Sequence, residues 1–147
     1  MRKIKIKLIP NEEGRLVSVP IKTKKGDWID LRSAGTYAYS QGDFIKVSFG
    51  IALELPVGFE AYIVARSSLY KNHGLILVNS IGVVDNSYHG DKDIWMGQFI
   101  AMKSGEVNFD DRICQFRIQR NQPSFSFEVV DTLGNNSRGG FGSTNKK

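Results

Sequence analysis

The chain has 147 residues, the size of one ordinary domain, so the sequence predicts a single hydrophobic core. Hydrophobic residues make up 41% and charged residues 24%, which excludes general disorder, and no apolar run approaches the roughly 18 residues that a membrane span needs. Twenty basic residues against fifteen acidic ones give a formal charge of +5, which favours a polyanionic partner, either a nucleic acid or the phosphate chain of a nucleotide.

Cysteine usage and the first residues indicate the compartment. The single cysteine, Cys114, cannot form an internal disulfide and lies in an apolar strand pattern, so we expect it in the core. Residues 1–7 alternate charged and aliphatic side chains and lack the apolar block of a signal peptide. We therefore expect a cytoplasmic protein that does not associate with membranes.

Short alternating segments follow one another along the chain and predict strands. In the first, at residues 3–8, lysines share one face and aliphatic side chains share the other. Further strand-like runs cover residues 44–49, 61–65, 75–78, 94–102, 112–117 and 125–130. Turn-forming residues separate them at 41–43, 56–58, 72–74 and 108–111. This spacing predicts an all-β sandwich or barrel.

One segment looks helical, and one looks unstructured. Residues 67–73 could form a turn or two of helix, with Gly74 as the C-terminal stop. After Leu133 the sequence is rich in glycine, asparagine and serine and has almost nothing to bury. The sequence therefore predicts a β-barrel domain over residues 1–133 and a flexible C-terminal arm over residues 134–147.

Residues 66–68 are a candidate phosphate-binding segment. Arg66, Ser67 and Ser68 follow a predicted strand and open the predicted helix, where free amide groups and the helix dipole favour an anion. The arginine fork also suits phosphate oxygens. The alternative is a serine N-cap beside a surface arginine.

Residues 79–90 indicate a hairpin that could hold a nucleoside. The amide of Asn79 can both donate to and accept from a base edge, and Asp85, just beyond two valines, could be shielded enough to deprotonate a water. The ring of Tyr88 could pack against a sugar. The alternatives are a turn asparagine, a turn aspartate and a cross-strand aromatic residue.

Three other candidate motifs, a calcium loop, a zinc site and a Walker loop, lack a residue or a spacing that they require. A calcium loop beginning at Asp85 would place Met96 where a bidentate glutamate is required. His73, His89 and Cys114 lack the paired spacing of zinc ligands. The tail at 138–144 has Gly142 where a Walker loop needs lysine, although it offers glycine amides, hydroxyls and one aromatic ring.

Five segments, in this order, resemble the motifs of the trimeric deoxyuridine triphosphatase (dUTP diphosphatase) family. They lie at residues 26–34, 65–69, 79–90, 111–115 and 138–144. The resemblance implies a jelly-roll-like β-barrel and a homotrimer whose three active sites are shared between subunits. It also implies hydrolysis of dUTP to dUMP and pyrophosphate, which keeps uracil out of DNA and supplies dUMP for thymidylate synthesis. Mg²⁺ would be held mainly on the triphosphate, and no specific nucleic-acid binding is expected.

The resemblance also implies roles for individual residues. Asp85 would activate the water that attacks the α-phosphorus, and Tyr88 would pack against deoxyribose and exclude a 2′-hydroxyl. Asp30 would hold a metal-bound water. Uracil would be bound by Asn79 and the backbone of Gly82, Val83 and Val84, and the phosphates by Arg66, Ser67, Ser68 and Gln115.

The arm of a neighbouring subunit would close over the site. Phe141 would cover the uracil, while Arg138, Gly142, Ser143 and Thr144 would lie near the phosphates. In an ungapped alignment the family has arginine and glycine where this chain has Asn136 and Ser137, so we expect Arg138 to supply the missing cation.

Two single positions are also noted, of which the first departs from the family pattern. Asp110 replaces the usual glycine before the fourth motif. Trp95 follows the predicted hairpin, and we expect a core or surface residue there, with an additional lid contact as the alternative.

The sequence leaves two other functions open. A dCTP deaminase on the same fold would need a glutamate as a proton shuttle beside the hairpin, and residues 79–90 contain none. A binding or regulatory protein would need neither Asp85 nor a closing arm. A regulatory protein partner added to catalysis is compatible with the sequence.

Overall fold

The computed structural model describes residues 1–142, which form a nearly all-β domain with one short helix, α1 (Leu69–His73). No helix among them is long and apolar enough to cross a membrane. The strands are β1 (Lys5–Leu8), β2 (Ile29–Arg32), β3 (Tyr37–Tyr39), β4 (Phe44–Ser48), β5 (Ile51–Glu54), β6 (Phe59–Ala65), β7 (Leu75–Leu77), β8 (Gly82–Val84), β9 (Met96–Ala101), β10 (Gly105–Val107) and β11 (Arg112–Arg120).

Antiparallel pairs join these strands into four sheets, with strand orders β2-β11-β6-β8, β4-β9-β7, β1-β5 and β10-β3. Most neighbours within a sheet are distant in sequence; β2 pairs with β11, for example, as Asp30 opposite Gln115. These long-range pairs bring segments from both halves of the chain to one place. The prediction of an all-β fold with a single short helix is confirmed for the described residues.

Side chains from both larger sheets fill the core. In β9 alternate residues are buried, including Phe99, as expected for a strand with one face inward. Trp95 is only 1% exposed, and its ring meets Phe116 edge-to-face at 5.1 Å. Trp95 is therefore a core residue, and the alternative of a lid contact is wrong. Cys114 is also buried, as predicted, and burial raises the pKa of its thiol to about 12.

The helix ends where the sequence predicts. Gly74 follows it with a left-handed φ of +64°, and its amide donates to the Tyr70 carbonyl at 2.7 Å. Glycine adopts this conformation without a steric cost, so it stops the helix. At the other end the side chain of Ser68 makes no capping hydrogen bond.

The predicted strand at residues 125–130 is absent. Residues 121–142 contain no helix or strand and are exposed along their whole length, with Phe127 97% and Val129 99% exposed. An alternating apolar pattern forms a strand only where a pairing strand is available, and this segment has none within its own described chain. The apolar run therefore stands uncovered in a single copy.

The hairpin predicted at residues 79–90 is also wrong. Strand β7 pairs with β9, whereas β8 pairs with β6, so the two strands flanking Asn79 belong to different sheets. Residues 78–81 connect one sheet to the other, and Ser80 adopts a left-handed φ of +57° there. Local alternation does not specify which strand is the partner.

Candidate active site

An ion-pair cluster lies where β2, β6 and β11 run side by side. Asp30 Oδ1 lies 2.8 Å from Arg66 Nε, and Asp30 Oδ2 lies 3.4 Å from Arg112 Nη1. Arg66 Nη1 also donates to the Arg112 carbonyl at 3.4 Å. These contacts orient the Arg66 guanidinium at the end of β6, with part of its donor fork left for an anion.

Gln115 lies beside this cluster. It is paired across the sheet with Asp30 on one side and Val64 on the other, and its Nε2 donates to the Ala65 carbonyl at 3.3 Å. The structure thus brings together three residues that the sequence analysis placed at the phosphates or the metal, namely Asp30, Arg66 and Gln115.

Ser67 and Ser68 stand between β6 and α1. A surface cavity of about 300 Å³ opens here, lined in part by Arg66, Ser67, Tyr70 and Ser80. Ser80 shows that the connection preceding β8 approaches the phosphate-side residues.

Asp85 follows β8 and is exposed, so the expectation that the valines shield it is wrong for the single chain. Val84 is buried in the core, but Val83 is 63% exposed and does not shield Asp85. Hydrogen bonds from the hydroxyl (2.6 Å) and the amide (2.8 Å) of Ser87 reach Asp85 Oδ1 and lower the pKa of the carboxyl below its usual 3.8. Asp85 is therefore ionised at neutral pH.

Asn86 fixes the turn that carries Asp85. Its Nδ2 faces three backbone carbonyls of the loop between β5 and β6 and of the start of β6: Pro56 at 2.7 Å, Phe59 at 2.9 Å and Leu55 at 3.3 Å. The sequence analysis did not select Asn86, nor Arg112 in the cluster above. Two signals in the sequence could have identified them: Asn86 directly follows Asp85, and Arg112 lies within the fourth motif.

Tyr88 completes this turn. Its amide donates to the Asp85 carbonyl at 3.0 Å, and its hydroxyl donates to the Ile94 carbonyl at 3.0 Å. The hydroxyl bond anchors the far end of the ring while the side chain stays partly exposed. These two hydrogen bonds thus hold Tyr88 beside the turn that carries Asp85.

Strand β8 is an edge strand. Gly82 and Val83 pair with Ile63 and Tyr62 of β6, and β8 has no second neighbour among the described residues. A side chain on Gly82 would place its Cβ 3.2 Å from the Ile63 Cβ, so glycine permits this close approach. The outer edge of β8 leaves backbone donors and acceptors for another group. Asn79, just before this strand, is exposed.

The described part of the arm is exposed, including Arg138, Phe141 and Gly142. Ser143 and Thr144 lie outside the described residues. No hydrogen bond or ion pair within residues 1–142 joins the arm or residues 79–88 to the Asp30 cluster. Residues 79–88 are instead linked to the cluster through the pairing of β8 with β6 and the cavity that Ser80 lines, whereas the described part of the arm makes no hydrogen bond or ion pair with either.

The described residues contain no group of three or more His, Cys, Asp or Glu side chains that could hold a metal ion. Asp30 is the acidic residue nearest the phosphate-side side chains, and two arginines already contact its carboxylate. Such a site does not hold a bare divalent ion by itself, because magnesium needs six oxygen ligands.

Comparison with known proteins agrees with the geometry. The sequence model of the dUTPase family matches residues 18–145. The chain is 46% identical, over 98% of its length and 99% of the relative's, to the SPbeta prophage-derived deoxyuridine 5'-triphosphate nucleotidohydrolase YosS of Bacillus subtilis. It is 34% identical over 98% of its length to a deoxyuridine 5'-triphosphate nucleotidohydrolase of Maricaulis maris, covering 97% of that protein.

Solved structures show the same architecture. The crystal structure of dUTPase from Streptococcus mutans aligns with a TM-score of 0.68 at 25% identity, over 86% of this chain and 98% of that one. A Staphylococcus bacteriophage 80alpha dUTPase with dUPNHPP aligns with a TM-score of 0.75 at 18% identity, over 97% and 98% of the two chains. The predicted jelly-roll-like barrel is thereby confirmed. This chain belongs to the dUTPase family, whose known activity is the hydrolysis of dUTP to dUMP.

Proposed function

We propose that the chain hydrolyses dUTP to dUMP and pyrophosphate, with Asp85 as the base for the attacking water. The observation that carries this proposal is the state of the Asp85 carboxylate. Ser87 holds it ionised, and no lysine, arginine or histidine of the described residues pairs with it. By contrast, two arginines neutralise Asp30. Asp85 is thus a carboxylate of the candidate site that no positively charged side chain of the described residues contacts, which leaves it free to bind and orient a water.

The phosphate chain binds at the cluster of Arg66, Ser67, Ser68 and Gln115. Asp30 and the Arg112 carbonyl hold the Arg66 guanidinium, so its remaining N–H groups are fixed before substrate arrives. Preorganised donors favour the transition state, because phosphoryl transfer depends on positioning and charge neutralisation rather than on covalent help from the protein.

The uracil binds at the outer edge of β8. In a strand every second residue directs its amide and carbonyl to the same edge, so part of the Gly82–Val84 backbone is available on the outer edge of β8, and the Asn79 side chain adds a donor and an acceptor. A site that pairs with uracil leaves polar groups unpaired when cytosine enters. Tyr88 packs against the deoxyribose, where its anchored ring excludes a 2′-hydroxyl.

Magnesium enters with the triphosphate, because the described residues offer no protein site of three carboxylate or imidazole ligands. When bound, it offsets phosphate charge and polarises the phosphoryl oxygens. Asp30 is suited to a second-layer contact, since its carboxylate could accept a hydrogen bond from a metal-bound water.

The active enzyme is a homotrimer with shared sites. Support comes from the described part of the arm, which makes no hydrogen bond or ion pair with candidate site residues of its own copy, and from the uncovered apolar residues at 125–130, which a second copy can bury. The arm, residues 134–147, closes over a neighbouring copy's site. It brings Arg138, Phe141 and Gly142, together with Ser143 and Thr144, while the last barrel strand ends at Arg120 and residues 121–133 connect it to the arm.

The proposed setting is the cytoplasm, where a buried lone thiol such as Cys114 persists in the reduced state. There the reaction would lower dUTP and supply dUMP for thymidylate synthesis.

The test is pyrophosphate release with magnesium from dUTP, dCTP, dTTP and UTP, for the wild-type protein and for Asp85→Asn. Release from dUTP alone, lost in the variant, supports the proposal. Ammonia released from dCTP would instead establish the deaminase alternative. Absence of turnover with every nucleotide by the folded protein would contradict the proposal and favour a binding protein.

A further inference from the structure

Asp110, in the turn between β10 and β11, joins three segments of the chain. Its carboxylate accepts two hydrogen bonds from Ser18, from the amide at 2.9 Å and from the hydroxyl at 2.8 Å. Arg32 Nη1 donates to the Asp110 carbonyl at 2.9 Å and lies 3.4 Å from Oδ2. The side chain thus connects the segment before β2, the end of β2 and the turn before β11.

This contact exists in spite of an unfavourable backbone. Asp110 has a φ of +68°, in the left-handed region that favours glycine. A side chain is tolerated there when its surroundings compensate the strain. Although partial burial has the largest single effect and opposes ionisation, the hydrogen bonds from Ser18 and the charges of Arg32 and Arg15 hold the pKa of Asp110 below its usual 3.8. The carboxylate is therefore charged at neutral pH.

The contact lies at the end of the strand pair that orients Arg66. The amide of Asp110 donates to the Ser33 carbonyl at 2.8 Å, and the amide of Ser33 donates to the Asp111 carbonyl at 2.9 Å. Beyond this double bridge the pairing of β2 with β11 is irregular between residues 112 and 114. Because the register shifts at this point, the bridge and the Asp110 contact reinforce the pairing of Arg112 with Arg32 in holding the two strand ends together.

Both groups that hold Arg66 stand just past this bridge. On β2, Asp30 lies two residues before Arg32. Arg112, the first residue of β11, lies two residues after Asp110. A shift of either strand end would move the Asp30 carboxylate relative to the Arg112 carbonyl, and with them the Arg66 guanidinium.

We propose that Asp110 is a positioning residue, which fixes Arg66 for phosphate binding by holding the ends of β2 and β11 in register. The proposal rests on the proposed function, since Arg66 receives its phosphate-binding role there. It assigns to Asp110 a task that glycine cannot perform.

The first test is Asp110→Gly, which removes the carboxylate and also relieves the left-handed strain. Strain relief alone would raise the melting temperature, whereas loss of the contact lowers it. We expect a lower melting temperature, a KM for dUTP raised about five-fold and a kcat within about two-fold of wild type. A merely structural role would reduce the active fraction, and hence kcat, without moving KM.

The matched control is Asp43→Gly. The Asp43 carboxylate also accepts a backbone hydrogen bond in an exposed turn, from the Ser40 amide at 2.8 Å, but it contacts none of the candidate site residues. We expect the control to leave KM and kcat unchanged. A KM increase of equal size in the control would overturn the proposal.

The second test is a double-mutant cycle that measures the affinity for a non-hydrolysable dUTP analogue. Asp110→Gly should weaken binding about five-fold in the wild-type background and have no effect in an Arg66→Ala background, because Asp110 acts through Arg66. An equal loss in both backgrounds, or an unchanged KM in Asp110→Gly while the wild type hydrolyses dUTP, would overturn the positioning role alone. Absence of dUTP turnover and analogue binding by the wild type would overturn the proposed function as well.

Discussion

Asn86→Ala tests whether the turn that carries Asp85 is held by side-chain hydrogen bonds. The Asn86 amide group has two hydrogens and faces three carbonyls at 2.7, 2.9 and 3.3 Å, so it makes about two full hydrogen bonds. Each contributes about 1 kcal/mol net, and the half-buried carbonyls lose further free energy when left unpaired. The variant should therefore lose about 2–3 kcal/mol of unfolding free energy.

Thermal unfolding and steady-state kinetics check this magnitude. For a domain of this size, the loss corresponds to a melting temperature lower by about 5–10 °C. We also expect kcat to fall about ten-fold, because the Asp85 turn is no longer tied to the loop between β5 and β6.

Asn121→Ala is the matched control for this prediction. Asn121 is exposed and contacts the Gly58 carbonyl through its backbone amide at 3.1 Å, a bond that alanine retains. The control should change the melting temperature by less than about 2 °C. A melting temperature for Asn86→Ala equal to that of the control would refute the reasoning.

Three other predictions concern the arm, the sugar and pH. Deleting residues 134–147 should abolish most turnover yet leave the melting temperature nearly unchanged, because the described part of the arm is exposed; a large thermal loss would contradict an arm that only closes over the site. Tyr88→Ala should narrow the preference for dUTP over UTP in competition assays, and an unchanged ratio would place the ring away from the sugar. Because the folded pKa of Asp110 is lowered, its stabilisation is present above the usual value of 3.8 and is lost as pH falls through the folded pKa. The melting-temperature difference between wild type and Asp110→Gly should therefore be constant above about pH 5 and shrink in more acidic buffer; a difference that does not shrink at all over the acidic range in which the wild type stays folded would contradict this assignment.

Periodicity predicted the longer strands well and the shorter ones poorly. The run at residues 44–49 became β4 and the run at 112–117 became part of β11, because alternation over five or more residues reflects a buried face. Strands β2, β3, β5 and β10 have three or four residues and were not predicted as strands, whereas the equally short β1 and β7 were predicted because apolar or alternating residues extend beyond them in the sequence.

Local sequence patterns could not predict which segments pair with one another as strands. Residues 125–130 alternate as a strand does, yet a strand also needs a partner, and one copy provides none among the described residues. The same limit made residues 79–90 look like a hairpin although β7 and β8 lie in different sheets.

The sequence analysis selected Asp30 and Asp85 for the candidate site, but it could not predict which side chains contact their carboxylates. Asp30 and Asp85 both follow apolar residues in the sequence, and only the three-dimensional contacts show that arginines neutralise the first while Ser87 alone binds the second. The Arg112–Asp30 pair spans 82 positions of sequence, so no local pattern reports it.

The most direct measurement of the central claim, a dUTP-hydrolysing site shared between copies, mixes two inactive variants. Asp85→Asn retains the arm, and the chain ending at residue 133 retains Asp85. If the base and the arm of each site come from different copies, randomly mixed trimers at equal concentration should regain about one quarter of wild-type turnover. Activity no higher than that of either variant alone, in assemblies shown to contain both chains, would contradict the shared site.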